Sequence, residues 1–154
     1  MLTPIRDREL ALSLGTLDLH GIKVDHRIIS RGDEDALLPD EAEAFQRSLV
    51  QVRRASGAAR IVARALLAQF GHGAAAIPKS RSGPPIWPAG FLGSLAHDSR
   101  IAIAAVAAPG AAAGIGIDIE PAVGLDPKLL DLIVTPRERR SIHCDPYAGR
   151  SFFV

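Results

Sequence analysis

Residues 94–120 read SLAHDSRIAIAAVAAPGAAAGIGIDIE, two apolar runs separated by the turn-forming segment PGAAAG. Isoleucine and valine favour strands, and proline with glycine ends them. The stretch therefore predicts a β-hairpin whose first strand begins near Arg100 and whose second strand is IGIDIE. Apolar runs this short also occur in buried helices, so the pattern alone leaves that alternative open.

The predicted second strand ends in two acidic residues, Asp118 and Glu120. Because side chains alternate along a strand, both carboxylates share a face, with their positions about 6.6 Å apart, and Gly114 and Gly116 leave that face bare. Two carboxylates this close repel each other unless a cation neutralises them, and Mg²⁺ takes one or two carboxylates together with water and substrate phosphates. The pair predicts either a Mg²⁺ site or a solvent-exposed strand end.

Short strands and two helices are predicted upstream. Residues 10–29 alternate apolar and polar positions in two bursts, which is typical of short antiparallel strands. Residues 40–56 begin with a capping-box pattern of aspartate followed three positions later by glutamate, which predicts a helix. A second helix is predicted over residues 58–70, ending at Gly71. Its predicted apolar stripe consists of Ile61, Ala65 and Ala68.

One long loop and a helical end complete the prediction. Residues 76–93 are too rich in proline and glycine for a helix or a central strand, so they form an ordered loop or a linker. Trp87 in this loop offers its apolar face either to a ligand or to the core beneath. Near the end of the chain, Asp126 with Pro127 predicts a helix to residue 133, and residues 135–138 predict another helix start.

Composition limits the class of protein. The 154 residues are 47% hydrophobic and 23% charged, which fits one compact domain better than a disordered segment. The 18 Lys and Arg nearly balance the 17 Asp and Glu, so no general affinity for nucleic acid or anionic membranes is predicted. Cys144, the only cysteine, excludes an internal disulfide and agrees with a reducing compartment. With neither an apolar signal core nor a run of about 20 apolar residues, we predict a cytoplasmic protein without a membrane span.

Two further patterns offer groups that bind anions. Arg53, Arg60 and Arg64 are spaced seven and four residues apart and fall on one face of any continuous helix. Guanidinium groups match phosphate oxygens, although such a row equally suits a solvated helix surface. His97, just before the predicted strand, either donates to a phosphate or is a satisfied core histidine.

Three motifs, RRASGAARIVARALLAQFG (53–71), IPKSRSGPPIWPAGFLGSLAHD (77–98) and GIGIDIEP (114–121), follow one another in the chain. In this order they resemble the 4′-phosphopantetheinyl transferases, specifically the branch that serves siderophore and other nonribosomal-peptide or polyketide synthases. The resemblance implies an α+β fold of two similar lobes, with antiparallel strands packed with helices. Residues 1–154 are then expected to be the N-terminal lobe and the start of the second, pseudo-symmetric lobe, most of which is missing.

Members of that family move the phosphopantetheine arm of coenzyme A to a serine of an acyl or peptidyl carrier protein, with Mg²⁺, and release 3′,5′-ADP. The resemblance implies that Asp118 and Glu120 ligate the metal beneath the pyrophosphate and are catalytic, with Asp118 also at the coenzyme. Arg60 and His97 correspond to groups that bind the 3′-phosphate of coenzyme A. The family has a second phosphate-binding arginine. Val52 stands at its position in this sequence, and Arg53 is the next residue. The other implied coenzyme-binding positions are Ser82, Gly83, Pro84, Pro85 and Ala96.

The resemblance covers roughly residues 38–140, and the sequence departs from the family pattern after it. Family members continue into an aromatic-x-x-Lys-Glu-x-x-x-Lys helix that supplies a third metal ligand and phosphate-binding lysines, whereas this sequence ends at GRSFFV, residues 149–154. We therefore expect a fragment with little activity alone. The alternative is a non-catalytic module, derived from the same family, that binds coenzyme A or a partner protein.

Overall fold

The computed structural model describes residues 19–73 and 75–121, together with Leu10, Leu14, Lys128, Leu132 and Thr135. The chain divides into two compact units, Met1–Ile119 and Glu120–Val154. Every helix and strand named below lies in the first unit. Most of the sequence in the predicted helices near residues 126–138 falls outside the described residues, although Lys128 and Leu132 are helical. Most of the first predicted strand burst before residue 19 also falls outside them, and the strand prediction is wrong at Leu10 and Leu14, which are helical.

The first unit is built on a three-stranded antiparallel sheet. Its strands are β1, Ile22–Ile28; β2, Leu92–His97; and β3, Ile101–Ala107, in the spatial order β1-β3-β2. Strand β3 lies in the middle, and its residues from Ala102 to Ala107 are all buried. This strand content, together with the helices, confirms the predicted α+β class.

One long helix covers one face of the sheet. The helices are α1, Pro39–Ala42, and α2, Val50–Gln69, and two short 3₁₀ turns span Asp33–Ala36 and Glu43–Phe45. The buried side of α2 packs on alternate residues of β3, with Leu66 and Val62 against Ala104 and Val106. Small side chains on both elements allow the helix and the sheet to approach closely.

The predicted boundary between the two helices, at residues 56–58, is wrong, because α2 runs without a break through Gly57. A Cβ atom at Gly57 would lie 1.9 Å from the carbonyl oxygen of Asp33, so the glycine is there for close approach of the 3₁₀ turn. The first predicted helix is also wrong in its extent, because α1 spans only Pro39–Ala42. Its start is capped by the Glu41 carboxylate, which accepts from the Leu38 N–H at 2.8 Å, and not by the predicted pair Asp40 and Glu43. The end of α2 is confirmed: Gly71 has φ 76°, and the His72 and Gly71 N–H groups bond back to the last turn.

The predicted stripe on α2 is also wrong. Ala65 and Ala68 are exposed and Ile61 is only partly buried. Alanine occurs all round this helix, so its composition did not reveal which side faces the sheet. The buried apolar positions are Ala55, Ala58, Ala59, Val62, Ala63, Leu66 and Leu67.

A β-hairpin does form at β3, but the prediction named the wrong strand as the partner of β3. Strand β3 is joined to β2 by a tight turn in which Asp98 Oδ1 accepts from the N–H groups of Arg100 at 2.6 Å and Ile101 at 2.7 Å. Residues 114–121 form no strand. They keep an alternating pattern, with the isoleucines half-buried and Gly116, Asp118 and Glu120 exposed. The Ile117 N–H donates to the hydroxyl of Ser94 at 3.2 Å.

The proline-rich loop is ordered and packs on the sheet. Trp87 joins the main apolar cluster and lies over Gly93, where a Cβ atom would come within 2.4 Å of the indole ring. The interpretation of Trp87 as a plug for the core is therefore confirmed. In the part of the chain that is described, no helix has both the length and the hydropathy needed to span a membrane.

Candidate anion-binding site

A cleft of about 240 Å³ opens where α2, the proline-rich loop and the end of β2 meet. Three of the described side chains that line it, Arg60, Lys79 and His97, are basic, and none of them is acidic. The cleft therefore favours an anionic ligand. Its lining residues are Phe45, Val52, Ser56, Ala59, Arg60, Lys79, Gly83, Pro85, Leu95 and His97.

Arg60 forms the floor of this cleft. Its guanidinium is buried, with Nε donating to the Ile77 carbonyl at 2.8 Å and Nη1 donating to the Ser56 carbonyl at 3.2 Å. Desolvation by burial lowers the pKa of Arg60, an effect that the charge of Glu41 opposes, and the group remains a cation at neutral pH. Among the described residues, Nη2 donates no hydrogen bond, which leaves it for a ligand oxygen.

The wholly buried carboxylate of Glu41 lies behind Arg60. Its oxygens accept from Arg64 Nη1 at 2.8 and 3.0 Å and from the Ile77 N–H at 2.7 Å, and Oε1 lies 3.8 Å from Arg60 Nε. Arg64 also donates to the Ala36 carbonyl at 2.7 Å. Two guanidinium groups thus share one carboxylate, and this cluster keeps an excess positive charge beside the cleft.

Lys79 reaches the cleft because the proline-rich loop folds as a miniature hairpin. Ser80 N–H donates to the Pro84 carbonyl at 2.8 Å, Ile86 N–H donates to the Pro78 carbonyl at 2.8 Å, and Lys79 pairs with Pro85. Directly opposed residues in such a pair project to the same side, so Lys79 and Pro85 both face the cleft. The turn between them contains Gly83 at φ 112°, a conformation that favours glycine.

His97 closes the cleft at the end of β2. Its ring Nδ1 lies 3.2 Å from the Asp98 carbonyl oxygen. A carbonyl oxygen only accepts, so this contact requires a proton on Nδ1, which makes Nε2 the atom available to a ligand. His97 is exposed, and the interpretation as a core histidine is therefore wrong.

The structure thus brings four of the predicted coenzyme-binding residues, Arg60, Gly83, Pro85 and His97, to one cleft. Sequence reasoning missed Lys79. The sequence carries one weak signal for Lys79, because Lys79 and Pro85 flank a Ser-rich turn symmetrically. A β-bridge of only two residues is too short to predict from sequence.

The other predicted coenzyme-binding residues do not line this cleft. Ser82 is exposed, with its hydroxyl 3.1 Å from that of Ser80, and Pro84 is exposed beside it. Ala96 pairs with Ile103, and alternation along β2 turns it away from the side of Leu95 and His97. Arg53 Nε is buried without a hydrogen-bond partner in the described part of the chain.

Asp118 lines a different cavity, of about 480 Å³, next to Ile22, Val24 and Ile103 on the sheet face turned away from α2. Glu120 is exposed and belongs to the second unit. Among the described residues there is no group of three or more His, Cys, Asp or Glu side chains that could hold a metal ion. The assignment of Asp118 and Glu120 as metal ligands stays a prediction.

The segment that forms the cleft is similar to known proteins. Residues 40–107 match the family model of the 4′-phosphopantetheinyl transferase N-terminal domain. The predicted family resemblance is confirmed. The 4′-phosphopantetheinyl transferase match contains α2, β2, β3, all of α1 except Pro39, and every described residue that lines the cleft, whereas Asp118 and Glu120 lie beyond it.

Three curated 4′-phosphopantetheinyl transferases are similar to this chain. Npt of Nocardia iowensis is 41% identical over 101 residues, which are 66% of this chain and 46% of the relative. PptT of Mycobacterium tuberculosis is 39% identical over 102 residues, covering 66% and 45%, and Svp of Streptomyces mobaraensis is 35% identical over 103 residues, covering 67% and 42%. The match thus spans less than half the length of each relative.

Proposed function

We propose that this chain takes part in the transfer of the 4′-phosphopantetheine arm of coenzyme A to a serine of an acyl or peptidyl carrier protein. The observation that supports the proposal best is the convergence of Arg60, Lys79 and His97 on one cleft, with no carboxylate among the described residues that line it. A phosphate monoester carries about 1.5 to 2 negative charges at neutral pH, which is the charge that such a cleft complements. The cleft also lies within the segment that matches the transferase family.

In this proposal the cleft holds the 3′-phosphate of coenzyme A. The free Nη2 of Arg60 and the ammonium of Lys79 donate charge-assisted hydrogen bonds to its oxygens. Nε2 of His97 donates a third such bond when both ring nitrogens carry a proton. Gly83 and Pro85 form the wall nearest the adenine end. Fixing this end of the coenzyme brings the pyrophosphate to a defined place and reduces the entropic cost of the reaction.

The transfer step breaks a bond at the β-phosphorus of coenzyme A. The hydroxyl oxygen of the carrier serine attacks the β-phosphorus and forms a new P–O bond. The bond between the β-phosphorus and the bridging pyrophosphate oxygen breaks, 3′,5′-ADP leaves with that oxygen, and the serine proton passes to water. We propose from their spacing in the sequence that Asp118 and Glu120 hold Mg²⁺, and the exposed carboxylate of Asp118 suits an ion that takes one or two carboxylates. When bound, Mg²⁺ would neutralise charge on the pyrophosphate.

A second candidate function, binding of coenzyme A without transfer, is favoured by one observation. The described residues that line the cleft all lie between Phe45 and His97, and neither Asp118 nor Glu120 is among them. The same segment accounts for under half of each curated relative. Both candidates share the coenzyme site and differ in whether the phosphopantetheine arm moves.

Two measurements on the same preparation test these candidates. Calorimetric titration with coenzyme A and with 3′-dephospho-coenzyme A should show at least about tenfold tighter binding of coenzyme A, as expected for the loss of one or two charge-assisted bonds. Mass spectrometry of an apo-carrier protein incubated with chain, coenzyme A and Mg²⁺ should show the added arm. Selective binding without modification would favour the binding module, and equal affinities would contradict both candidates.

A further inference from the structure

Ile77, at the start of the proline-rich loop, is held through both of its backbone polar groups. Glu41 Oε1 accepts from its N–H at 2.7 Å, and Arg60 Nε donates to its carbonyl at 2.8 Å. The Ile77 side chain is fully buried in the main apolar cluster. Two oppositely charged side chains therefore hold the peptide groups on either side of Ile77, and the Arg60 Nε and Glu41 Oε1 atoms lie 3.8 Å apart.

The Glu41 carboxylate connects three segments of the unit. Besides Ile77, it accepts from the Leu38 N–H at the start of α1 and from Arg64 on α2. It is wholly buried and does not line the cleft. A buried carboxylate that is fully hydrogen-bonded is costly to disturb, because removal of its charge leaves the partner cations and N–H groups without an acceptor.

We propose that Glu41 is a positioning residue that sets the selectivity of the cleft for a phosphate monoester. The inference rests on the proposed function of the cleft. By fixing Ile77, Glu41 fixes the point from which the miniature hairpin carries Lys79, two residues later, to the cleft. By neutralising one of two adjacent guanidinium charges, it keeps Arg60 buried in the orientation that turns Nη2 toward the ligand.

Electrostatics supports a role in orientation rather than in the fold alone. Arg60 and Arg64 lie on the same face of α2, four residues apart, and both are largely buried. Without Glu41, two cations would face each other in a region of low dielectric constant, and the simplest relief is for Arg60 to rotate toward the solvent. That rotation breaks the Nε bond to Ile77 and moves both Arg60 and Lys79 from their places at the ligand.

The test compares Glu41→Gln with Asp33→Asn. Asp33 is a matched control: it is buried, accepts from Arg27 Nη2 at 2.8 Å and from the Ser30 N–H at 2.8 Å, and does not line the cleft. For each folded variant, the free energy of unfolding is measured in urea, and the ratio of the dissociation constants of 3′-dephospho-coenzyme A and coenzyme A is measured by calorimetry. We expect Glu41→Gln to lower this ratio about tenfold, and Asp33→Asn to lose stability while keeping the wild-type ratio.

The outcomes separate the inference from the proposed function. A wild-type ratio near 1 contradicts the proposed function. A wild-type ratio above about 10 that persists in Glu41→Gln contradicts the positioning role alone. An equal fall of the ratio in both variants also contradicts it, because general loosening would then suffice. Should Glu41→Gln fail to fold, Glu41→Asp serves instead, since its shorter side chain cannot reach Ile77 and Arg64 together; an unchanged ratio in that variant overturns the inference.

Discussion

Gly57 of α2 lies directly against the backbone of Asp33, so closely that a Cβ atom would be 1.9 Å from the Asp33 carbonyl oxygen. Because the obstacle is backbone, Gly57→Ala forces the 3₁₀ turn Asp33–Ala36 away from α2. We expect a loss of about 1–3 kcal/mol in the free energy of unfolding, although alanine is the better helix former by about 1 kcal/mol. Urea unfolding followed by circular dichroism measures this difference.

Ala65→Gly, at an exposed position of the same helix, is the control for Gly57→Ala. It changes helix propensity in the opposite sense without any steric change and should destabilise by about 1 kcal/mol. If Gly57→Ala were more stable than the wild type, the close packing of α2 against the 3₁₀ turn would be wrong.

The Glu34 carboxylate makes the free energy of unfolding of this domain depend on pH in the acid range. Arg54 donates to its two oxygens at 2.7 Å each, and this hydrogen bonding lowers the pKa of Glu34 from 4.5 to about 2. A carboxyl whose pKa is lower in the folded state stabilises the fold above its unfolded pKa, and that stabilisation is lost as the pH falls. The free-energy difference between wild type and Glu34→Gln should therefore be constant from neutral pH to about 5 and shrink toward pH 2.

Urea unfolding at a series of pH values measures the contribution of Glu34. Glu43→Gln, at an exposed position, controls for the loss of one negative charge. A difference between wild type and Glu34→Gln that does not change on acidification would show that the ion pair with Arg54 does not form in solution.

Lys79 is predicted to bind the ligand although sequence reasoning did not select it. Lys79→Ala should weaken coenzyme A binding about three- to tenfold, with a smaller effect on 3′-dephospho-coenzyme A, because one cation near the 3′-phosphate is lost. Arg81→Ala is the matched control, since Arg81 lies on the same miniature hairpin, is exposed, and does not line the cleft. Calorimetry at two salt concentrations checks the result. An equal loss in both variants would indicate general electrostatic attraction instead of a contact.

Asp118 and Glu120 are expected to affect the metal dependence of the reaction and not the 3′-phosphate site. In Asp118→Asn with Glu120→Gln, Mg²⁺ should no longer strengthen coenzyme A binding, whereas affinity measured in EDTA should stay within about twofold of the wild type. Asp40→Asn, at an exposed position of α1, controls for lost charge. A Mg²⁺ effect of wild-type size in the double variant would exclude these carboxylates as the ligands.

Local sequence patterns were enough to predict the strands β1 and β3, the ordered proline-rich loop and the glycine end of α2. Each depends on neighbours along the chain: alternation, proline and glycine content, or the left-handed conformation of Gly71. The identity of the hairpin partner was mistaken because PGAAAG is the more obvious turn by composition. The turn that forms depends on Asp98, which caps the N–H groups of Arg100 and Ile101.

Contacts between distant parts of the chain account for most of what the sequence did not reveal. The predicted helices, 40–56 and 58–70, left Gly57 between them, because the Asp33 carbonyl whose close approach requires this glycine lies on a separate segment. The row of Arg53, Arg60 and Arg64 was interpreted as either solvated or phosphate-binding. Arg64 is neither, since it pairs with Glu41, 23 residues away. Arg60 combines a buried structural contact with a place in the cleft, a dual role that spacing alone does not indicate.

The most direct test of whether the cleft binds the 3′-phosphate of coenzyme A removes the imidazole of His97 and the 3′-phosphate of the ligand, singly and together. Affinities of wild type and His97→Ala for coenzyme A and 3′-dephospho-coenzyme A complete a double-mutant cycle. If the cleft holds the 3′-phosphate, His97→Ala weakens coenzyme A about tenfold and leaves the dephospho form nearly unchanged. Equal losses for the two ligands would show that His97 does not contact that phosphate and would contradict the account of the cleft.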